Sequence, residues 1–354
     1  MTRTPPPMRK PVTVRVHYPR TSATITLRTA RDWDRDLVAN RVDQAGTRYS
    51  FSLRLDEPFL HLKPVRRDGT QEHWSVGENY RVSPQSGHDL DLYPAFDADG
   101  TCSVCALQEL SDGKGRGYSF RVFLPPGYAE NTLRRYPVLY MHDGQNVFFP
   151  AEAFGGTPWR ITETLDVLRS MNLVDPVIVV GIYPNARETD YTRPGYDTYG
   201  RFLVETLKPA VDHEYRTLAG PGTTAVMGSS LGGVVAFYLA WEWPGVFGMA
   251  ACMSSTFGWR DDLFERVARE PRRRTRLYLD SGWPGDNFEV TRAMHELLRA
   301  RGYRDGADLS YLAFPEGTHN EISWAMRAHL PLQFFFRDTG PHPRVHRTRS
   351  RRRD

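Results

Sequence analysis

The sequence has 354 residues, enough for two domains at about 150 residues each. Its 40% hydrophobic and 25% charged residues argue against a disordered, collagenous or coiled-coil protein. The net charge of +4 comes from the end of the chain, because residues 340–354 contain six Arg and one Asp. We interpret residues 339–354 as a basic, disordered tail that is solvated, and we do not expect a nucleic-acid partner.

No segment has the pattern of a membrane span or of a secretory signal. The longest uncharged run, residues 217–241, is interrupted by Gly, Pro and Ser. The N-terminus carries Arg and Lys without an apolar stretch behind them. We therefore expect a cytoplasmic protein with no membrane partner.

The first part of the chain, residues 11–98, carries short alternating patterns typical of strands in a small antiparallel β-sandwich. The segments that alternate are 12–18, 23–28, 49–55, 59–65 and 78–83. We interpret residues 1–10 as a disordered N-terminus. Residues 83–100 are polar and rich in turn residues, which indicates a linker and a domain boundary after residue 98.

From residue 99 to 338 the pattern changes to strands that alternate with helix-length segments. Strands are predicted over residues 103–110, 118–125, 137–142, 176–182, 223–228, 249–254, 276–282 and 309–315. Helices are predicted near residues 161–171, 198–215, 234–243, 290–302 and 323–336. This order is typical of a mostly parallel sheet with helices on both faces, and it predicts an α/β-hydrolase fold.

A candidate nucleophile stands between a predicted strand and a predicted helix. Residues 228–232 read G-S-S-L-G, the G-x-S-x-G spacing of a tight strand-to-helix turn, in which small residues let the backbone approach. Ser230 would stand at the N-terminus of the helix, where free N–H groups can receive a developing oxyanion. The N–H of Leu231 is the first predicted oxyanion donor.

A serine hydroxyl needs a base, and in this fold the base follows the nucleophile in the chain. His295 and His329 fall inside predicted helices, and His342 and His346 lie in the tail. His319 lies in the loop P-E-G-T-H-N-E, directly after the last predicted strand. We predict His319 as the base.

Four carboxylates remain candidates for the group that orients His319. Asp286 lies in the loop after the strand over residues 276–282, so it can reach the imidazole, whereas Asp280 lies within that strand. We favour Asp286 over Asp280. Glu289 and Glu316 stay open as weaker alternatives.

The loop after the strand over residues 137–142 should supply the second oxyanion donor. Gly144 permits a turn there, and the backbone N–H of Gln145 is the predicted donor. Further candidate substrate contacts in loops at this sheet edge are Asp143, Asn185, Arg187 and Trp283. An Arg would suit an anionic or polyhydroxylated ligand, or would pair with a neighbouring carboxylate.

These motifs taken together resemble a known family. FRVFLPPGY, YPVLYMHDGQNVF, GSSLGG, LYLDSG and EGTHNEISW are similar to the esterase family of α/β-hydrolases that includes esterase D-like, feruloyl esterase-like and enterochelin esterase-like enzymes. The resemblance covers residues 105–337. It implies the nucleophile at Ser230, the histidine at His319, the acid at Asp286 and the oxyanion donors at Gln145 and Leu231.

The N-terminal domain, which ends in HWSVGENYRV, looks like the carbohydrate-binding or immunoglobulin-like modules that precede some of these esterases. Trp33, Trp74 and Tyr80 are candidates for stacking on sugar rings. Aromatic residues in a small sandwich more often belong to the core. Carbohydrate contact and a wall that shapes the esterase cleft are both open roles for this domain.

The leading function is therefore a serine carboxylic-ester hydrolase that acts on a small-molecule ester, such as an acylated sugar or a siderophore-type ester. This mechanism requires no metal and no organic cofactor, and we interpret the lone C-x-x-C of Cys102 and Cys105 as two thiols on one strand. An acyltransferase would use the same residues. A non-catalytic glycan-binding protein on a hydrolase scaffold is the alternative from another class.

Overall fold

The computed structural model describes residues 11–83, 89–97 and 103–337. Its contacts divide these residues into two compact units, one made of 11–97 with 129–133 and the other of 103–128 with 134–337. The predicted disordered ends and Cys102 lie outside the described residues. Within them, no helix combines the length and the apolar character needed to cross a membrane.

The first unit contains two sheets of short strands. Its described strands are β1 Val12–His17, β2 Thr24–Thr29, β3 Asp32–Val38, β4 Arg41–Val42, β5 Arg48–Leu53, β6 Leu60–Asp68, β7 Gln71–Trp74, β8 Tyr80–Val82 and β9 Leu90–Leu92. One sheet has the order β4-β5-β1-β9 and the other the order β3-β2-β6-β7, with β8 also on β6. Val14, Phe51, Leu27 and Leu62, from both sheets, share one buried core, as in a sandwich.

Strand β9 corrects two expectations. Residues 83–100 are predicted to be a linker, yet Leu90–Leu92 pairs with β1, with Val14 opposite Leu90 and Val16 opposite Leu92. This pairing is parallel, so the sheet is mixed and not purely antiparallel. The triplet L-D-L is too short to show a strand period, and its partner strand lies near the start of the chain, which is why the sequence pattern missed it.

The second unit is built on one large sheet. Its described strands are β10 Ser103–Val104, β11 Gln108–Ser111, β12 Gly117–Leu124, β13 Val138–Met141, β14 Ile178–Ile182, β15 Thr224–Ser229, β16 Met249–Met253, β17 Arg276–Trp283 and β18 Leu309–Pro315. The order is β10-β12-β14-β13-β15-β16-β17-β18, with β11 also on β12. The pairs that involve β10, β11 and β12 are antiparallel, and those from β14 to β18 are parallel.

Helices cover both faces of this sheet. The described α-helices are α1 Ile161–Ser170, α2 Arg187–Tyr191, α3 Gly195–Phe202, α4 Lys208–Glu214, α5 Leu231–Glu242, α6 Leu263–Arg269, α7 Phe288–Ala300, α8 Glu321–Arg327 and α9 His329–Phe336. Successive residues of β14 point to opposite faces of the sheet. Val180 belongs to the hydrophobic core formed with α5 and α7, and Val179 belongs to the core formed with α1 and α9. The expected α/β-hydrolase fold class is confirmed.

Two of the predicted helices are interrupted. The segment 198–215 contains the end of α3, a π-helical turn over Leu203–Leu207, and α4. Pro209 has no N–H to bond the carbonyl four residues earlier, which accounts for a wider turn directly before it. The segment 323–336 divides into α8 and α9 at Ala328. Strands β3, β4 and β7 and helices α2 and α6 also have no counterpart among the predicted elements.

The carboxyl ends of five neighbouring parallel strands meet at one edge of the large sheet. In the order β13-β15-β16-β17-β18, the chain segments that follow these ends carry Asp143, Ser230, Ser254, Asp286 and His319. In open α/β sheets, ligands bind outside the carboxyl ends of the strands. The topology thus gathers residues that are far apart in sequence at the edge where binding is expected.

Candidate active site

Ser230 occupies the sharp turn between β15 and α5. Its φ of 56° and ψ of −121° are unusual for a residue other than glycine. A Cβ on Gly228 would lie 2.5 Å from the carbonyl carbon of Gly232, so only glycine lets the strand and the helix approach this closely. The Ser230 N–H donates to the Met253 carbonyl at 2.9 Å, which ties the turn to the neighbouring strand β16.

The same turn presents the N-terminus of α5. The carbonyl of Ser230 accepts the N–H groups of Gly233 and Val234, each at 3.2 Å. The N–H of Leu231 precedes these donors and, as the first in the helix, has no intrahelical acceptor. A partial positive charge from the helix dipole adds to this donor, so the turn is suited to an anion beside Ser230.

His319 and Asp286 are brought together from the loops after β18 and β17. Nδ1 of His319 lies 2.6 Å from Oδ1 of Asp286. The His319 side chain is 36% exposed, whereas that of Asp286 is fully buried. The bond to Asp286 occupies Nδ1 and leaves Nε2 as the ring nitrogen that can exchange a proton.

Asp286 is surrounded by hydrogen-bond donors. Oδ1 also accepts the Asn287 N–H at 2.7 Å, and Oδ2 accepts the Gly282 N–H at 2.8 Å and the Ser254 hydroxyl. Burial raises the pKa of this carboxyl, but the hydrogen bonds from His319, Ser254 and the two N–H groups outweigh it and lower the pKa to about 2. Asp286 is therefore ionised throughout the neutral pH range.

The other three candidate carboxylates are placed differently. Asp280 lies fully buried in β17 and is paired with Arg327, whose Nη2 lies 3.2 Å from Oδ1. Glu289, on the first turn of α7, pairs with Arg292 at 3.0 Å and is exposed. Glu316 is exposed in the loop before His319. Of the four, Asp286 is the one hydrogen-bonded to the His319 ring.

Helix α8 surrounds the His319–Asp286 pair with side chains that the sequence reasoning did not single out. The Trp324 ring meets the His319 ring edge-on, with centroids 5.0 Å apart. Trp324 and Arg327 both donate to the Ser254 hydroxyl at 3.0 Å. Ser254 could have been found from its position directly after β16, at the sheet edge of the candidate nucleophile. No comparable signal marks Arg327.

The predicted oxyanion loop begins at a strained residue. Asp143 has φ 56° and ψ 52°, and its N–H donates to the Tyr191 hydroxyl at 2.9 Å. Gly144 packs on the backbone of β14, where an added Cβ would lie 2.6 Å from the carbonyl carbon of Gly181. Gly144–Asn146 forms one turn of 3₁₀-helix, which places the backbone of Gln145 at the end of β13, beside the Ser230 strand.

Two of the candidate substrate contacts bind each other. Arg187 holds Asp143 with two parallel hydrogen bonds, Nε to Oδ1 and Nη2 to Oδ2, both 2.8 Å long. Nη2 also lies 3.5 Å from the Ser229 carbonyl. The paired-carboxylate alternative for Arg187 is thus the observed arrangement, and it ties the loop of Asp143, the predicted oxyanion loop, to the residue before Ser230.

The remaining candidate contacts lie nearer the surface. Asn185 donates its side-chain amide to the Gly117 carbonyl at 2.7 Å, and its N–H bonds Asp190 at 2.9 Å. Trp283, at the end of β17, is 49% exposed, and its ring centroid lies 6.3 Å from that of Phe288. Trp283 is available to a bound molecule, whereas the amide of Asn185 is engaged with the backbone.

In the first unit, the three aromatic candidates separate into two environments. Trp33 and Trp74 are half-buried with ring centroids 6.3 Å apart, and the guanidinium of Arg28 lies 4.9 Å from the Trp74 ring centroid. Tyr80 packs against the sandwich core. Among the described residues, no group of three or more His, Cys, Asp or Glu side chains is arranged to hold a metal ion.

Several solved structures share this architecture. A ferulic acid esterase matches 67% of this chain and 98% of its own with a TM-score of 0.56 and 18% identity. The enterobactin esterase FES from Shigella flexneri matches 91% of each chain with a TM-score of 0.55 and 15% identity. At these identities the likeness establishes the fold.

Two curated proteins match by sequence over part of their length. The uncharacterized protein YbbA of Bacillus subtilis is 22% identical over 172 residues, which are 45% of this chain and 64% of YbbA. The endo-1,4-beta-xylanase/feruloyl esterase of Xylanibacter ruminicola is 25% identical over 224 residues, 60% of this chain and 28% of that protein. This chain therefore spans less than two thirds of either relative.

A protein family covers the part of the chain that contains the site. The family described as "Putative esterase" matches residues 111–327, from the end of β11 to the end of α8. The match includes Ser230, Asp286 and His319, and it confirms the resemblance drawn from the motifs. With more than half of its length matched, this chain belongs to that esterase family.

Proposed function

We propose that this protein is a serine carboxylic-ester hydrolase with Ser230 as nucleophile, His319 as base and Asp286 as orienting acid. The observation that carries the proposal is the 2.6 Å bond between His319 and a buried, ionised Asp286. A histidine held this way has one nitrogen left for proton transfer. The strained turn of Ser230, at the same sheet edge, supports its role as the group that loses the proton.

The first half of the reaction forms an acyl-enzyme. Ser230 Oγ attacks the ester carbonyl carbon while Nε2 of His319 takes the hydroxyl proton. The carbonyl oxygen becomes an oxyanion, which accepts the N–H groups of Leu231 and Gln145. When the tetrahedral intermediate collapses, the carbon–oxygen bond to the alcohol breaks and the imidazolium returns its proton to the departing alcohol.

The second half releases the acid. A water molecule loses a proton to Nε2 of His319 and attacks the acyl carbon, and the same N–H groups stabilise the second oxyanion. Collapse frees the carboxylic acid and returns the proton to Ser230. Asp286 stays ionised in both halves and stabilises the imidazolium, as expected for a carboxylate that accepts four hydrogen bonds.

The names of the relatives support two substrate classes for this proposal, an acylated sugar and a siderophore-type ester. The curated relative from Xylanibacter ruminicola has feruloyl esterase in its name, and the Shigella flexneri structure is an enterobactin esterase. A feruloyl ester has an aromatic acyl group, and the exposed ring of Trp283, three positions before Asp286 in the sequence, supports an aromatic group on the substrate of this protein.

Hydrolysis of p-nitrophenyl esters from acetate upward, together with a fluorophosphonate label, tests the proposal. Wild type should hydrolyse the esters and take up the label at Ser230, and Ser230→Ala should do neither. Methyl ferulate and a catecholate triester distinguish the two substrate classes. Added alcohols that appear in the products would indicate acyl transfer in place of hydrolysis.

The chain offers a matched control for the base. His295 also contacts an aspartate, with Nε2 at 2.9 Å from Oδ1 of Asp305, but this pair lies on α7 and the segment after it, outside the site. His319→Gln should abolish turnover, whereas His295→Gln should leave it unchanged. A folded wild type that is neither labelled nor active would overturn the proposed function.

A further inference from the structure

Ser254 is a buried hydroxyl that none of the reaction steps above uses. It directly follows β16, is fully buried, and has a φ of 44°, an uncommon conformation for serine. Its N–H donates to the Asp280 carbonyl at 2.7 Å, and its carbonyl accepts the Asn287 side chain at 2.8 Å. Both backbone groups are therefore fixed between β17 and the loop that carries Asp286.

The partners of the Ser254 hydroxyl determine where its proton points. Oγ receives the indole N–H of Trp324 and an Nη2–H of Arg327, each at 3.0 Å. Both groups can only donate, so they occupy the two lone pairs of the oxygen. The hydroxyl proton is left for the third partner, Oδ2 of Asp286, which is an acceptor when ionised.

The two donors are themselves held in place. Arg327, 1% exposed, binds the fully buried Asp280 through Nε and Nη2, both at 3.2 Å. Its Nη1 donates to Ser323 Oγ at 2.9 Å, and the same oxygen accepts the Thr318 N–H at 3.0 Å. Arg327 is thus connected to both loops of the site. It reaches the loop of Asp286 through Ser254 and the loop of His319 through Ser323.

We propose that Ser254, oriented by Arg327 and Trp324, is a positioning residue that fixes the rotation of the Asp286 carboxylate, so that Oδ1 faces His319 Nδ1. This inference rests on the proposed function for its effect on catalysis. The Ser254 hydroxyl is fully buried, and its bonding capacity is taken up by Asp286, Trp324 and Arg327, so it has no atom left for a substrate. Its loss should therefore lower kcat and leave KM unchanged.

Two variants remove different parts of this arrangement. Ser254→Ala deletes the donor to Asp286. Trp324→Phe keeps an aromatic ring against His319 and deletes only the N–H that helps to orient the Ser254 hydroxyl. Ser281→Ala is the matched control, because Ser281 is also fully buried and its hydroxyl has no hydrogen-bond partner among the described residues.

The readouts are kcat and KM on a p-nitrophenyl ester and the low-field proton NMR signal of His319 Nδ1–H, which reports the bond to Asp286. Ser254→Ala should lower kcat by about 10²-fold, the typical cost of a misplaced catalytic group, and should shift or broaden the NMR signal. Trp324→Phe should do both to a smaller extent. Ser281→Ala should do neither.

Three results would overturn the inference: an unchanged NMR signal in Ser254→Ala, a change in KM alone, or equal effects of Ser254→Ala and Ser281→Ala. If Ser254→Ala does not fold, Trp324→Phe alone decides, and an unchanged signal and kcat in that variant count against the proposal. The NMR signal does not depend on turnover. If Ser230→Ala retained esterase activity while Ser254→Ala still moved the signal, the proposed function would fail and the positioning role would stand.

Discussion

Asp280 and Asp286 lie six positions apart, on β17 and in the loop after it, and they have opposite environments. Asp280 is fully buried, paired with Arg327 and hydrogen-bonded by Tyr278 at 2.8 Å, and burial raises its pKa to about 6 in spite of these partners. Asp286 accepts hydrogen bonds from His319, Ser254 and two N–H groups, and its pKa falls to about 2. Asp280 lies deeper in the protein, so burial outweighs its hydrogen bonds from Arg327 and Tyr278, whereas at Asp286 the hydrogen bonds outweigh burial.

Strand β17 therefore carries a carboxylate that is paired with a buried guanidinium, and the loop directly after it carries a carboxylate that faces a histidine. The charge of Asp280 is balanced by the guanidinium of Arg327, which also donates a hydrogen bond to the Ser254 hydroxyl. Asp286 keeps its full charge directed at a histidine that is 36% exposed. We therefore expect changes at Asp286 to affect mainly turnover, and changes at Asp280 to affect mainly stability.

The largest expected effect is that of Asp286→Asn on turnover. An amide in place of the carboxylate cannot accept the Nδ1–H bond as an anion does, so it favours the wrong tautomer of His319. By analogy with enzymes that use a Ser-His-Asp triad, kcat should fall about 10⁴-fold. Steady-state kinetics on a p-nitrophenyl ester measures this loss.

Asp305→Asn is the control for this variant, since it disrupts the His295–Asp305 contact, in which Asp305 is 46% exposed. It should leave kcat unchanged. If Asp286→Asn kept wild-type turnover, the functional assignment of the two aspartates would be wrong.

The next expected effect is on folding. Arg327→Met leaves the Asp280 carboxylate buried without its counter-ion, and breaking a buried ion pair from one side typically costs about 3 to 5 kcal/mol. Urea denaturation at neutral pH measures the change in the free energy of unfolding. A variant with wild-type stability would mean that Arg327 does not balance the charge of Asp280.

Much of the fold and part of the site could be predicted from the sequence. Long apolar strands such as Ile178–Ile182, and the glycines around Ser230, have local patterns that reflect the buried sheet and its tight turn. The preference for Asp286 over Asp280 came from their positions in the loop and in the strand. The contact between His319 and Asp286 agrees with that preference.

The arrangement around Asp286 could not be predicted, because it depends on contacts between distant residues. Ser254 and Arg327 are 73 positions apart, and although Ser254 stands at the end of a strand, no local pattern marks Arg327 or indicates that the two side chains meet. Arg187 was expected to contact substrate or to pair with a carboxylate, and the choice of Asp143 as partner depends on the tertiary fold. Strand Leu90–Leu92 was missed for the same reason.

The two aspartates should also give stability opposite pH dependences. In the folded protein the pKa of Asp280 is about 6, above its ordinary value of 3.8. Between about pH 4 and pH 6 the folded protein therefore binds a proton that the unfolded chain has lost, and the free energy of unfolding falls as the pH rises. The folded pKa of Asp286, about 2, is below 3.8, so its stabilisation is lost as the pH falls from about 4 to about 2. Each contribution is about 2 to 3 kcal/mol.

Urea denaturation across this pH range, on wild type and on both Asn variants, separates the two contributions. Asp280→Asn should lose the decline between about pH 4 and pH 6. In Asp286→Asn the free energy of unfolding should fall less steeply than in wild type as the pH is lowered below about 4. If the two variants had parallel pH profiles, the two carboxylates would not differ in the way that their hydrogen bonds indicate.

The smallest expected effect comes from the backbone between the two aspartates. Gly282 donates its N–H to Asp286, and a Cβ at this position would lie 2.0 Å from the Gly317 carbonyl oxygen, in the loop that carries His319. Gly282→Ala must push the two loops apart, so it should cost about 1 to 3 kcal/mol of stability and also lower kcat. Thermal unfolding and ester kinetics measure both.

Gly285→Ala is the matched control three residues later. A Cβ there meets nothing within 4 Å, so stability should stay within about 0.5 kcal/mol of wild type and turnover should not change. Equal effects of the two alanines would indicate that the loop tolerates displacement. If Gly282→Ala lowered stability but left kcat unchanged, the contact between the two loops would contribute to folding and not to turnover, as we expect for Asp280.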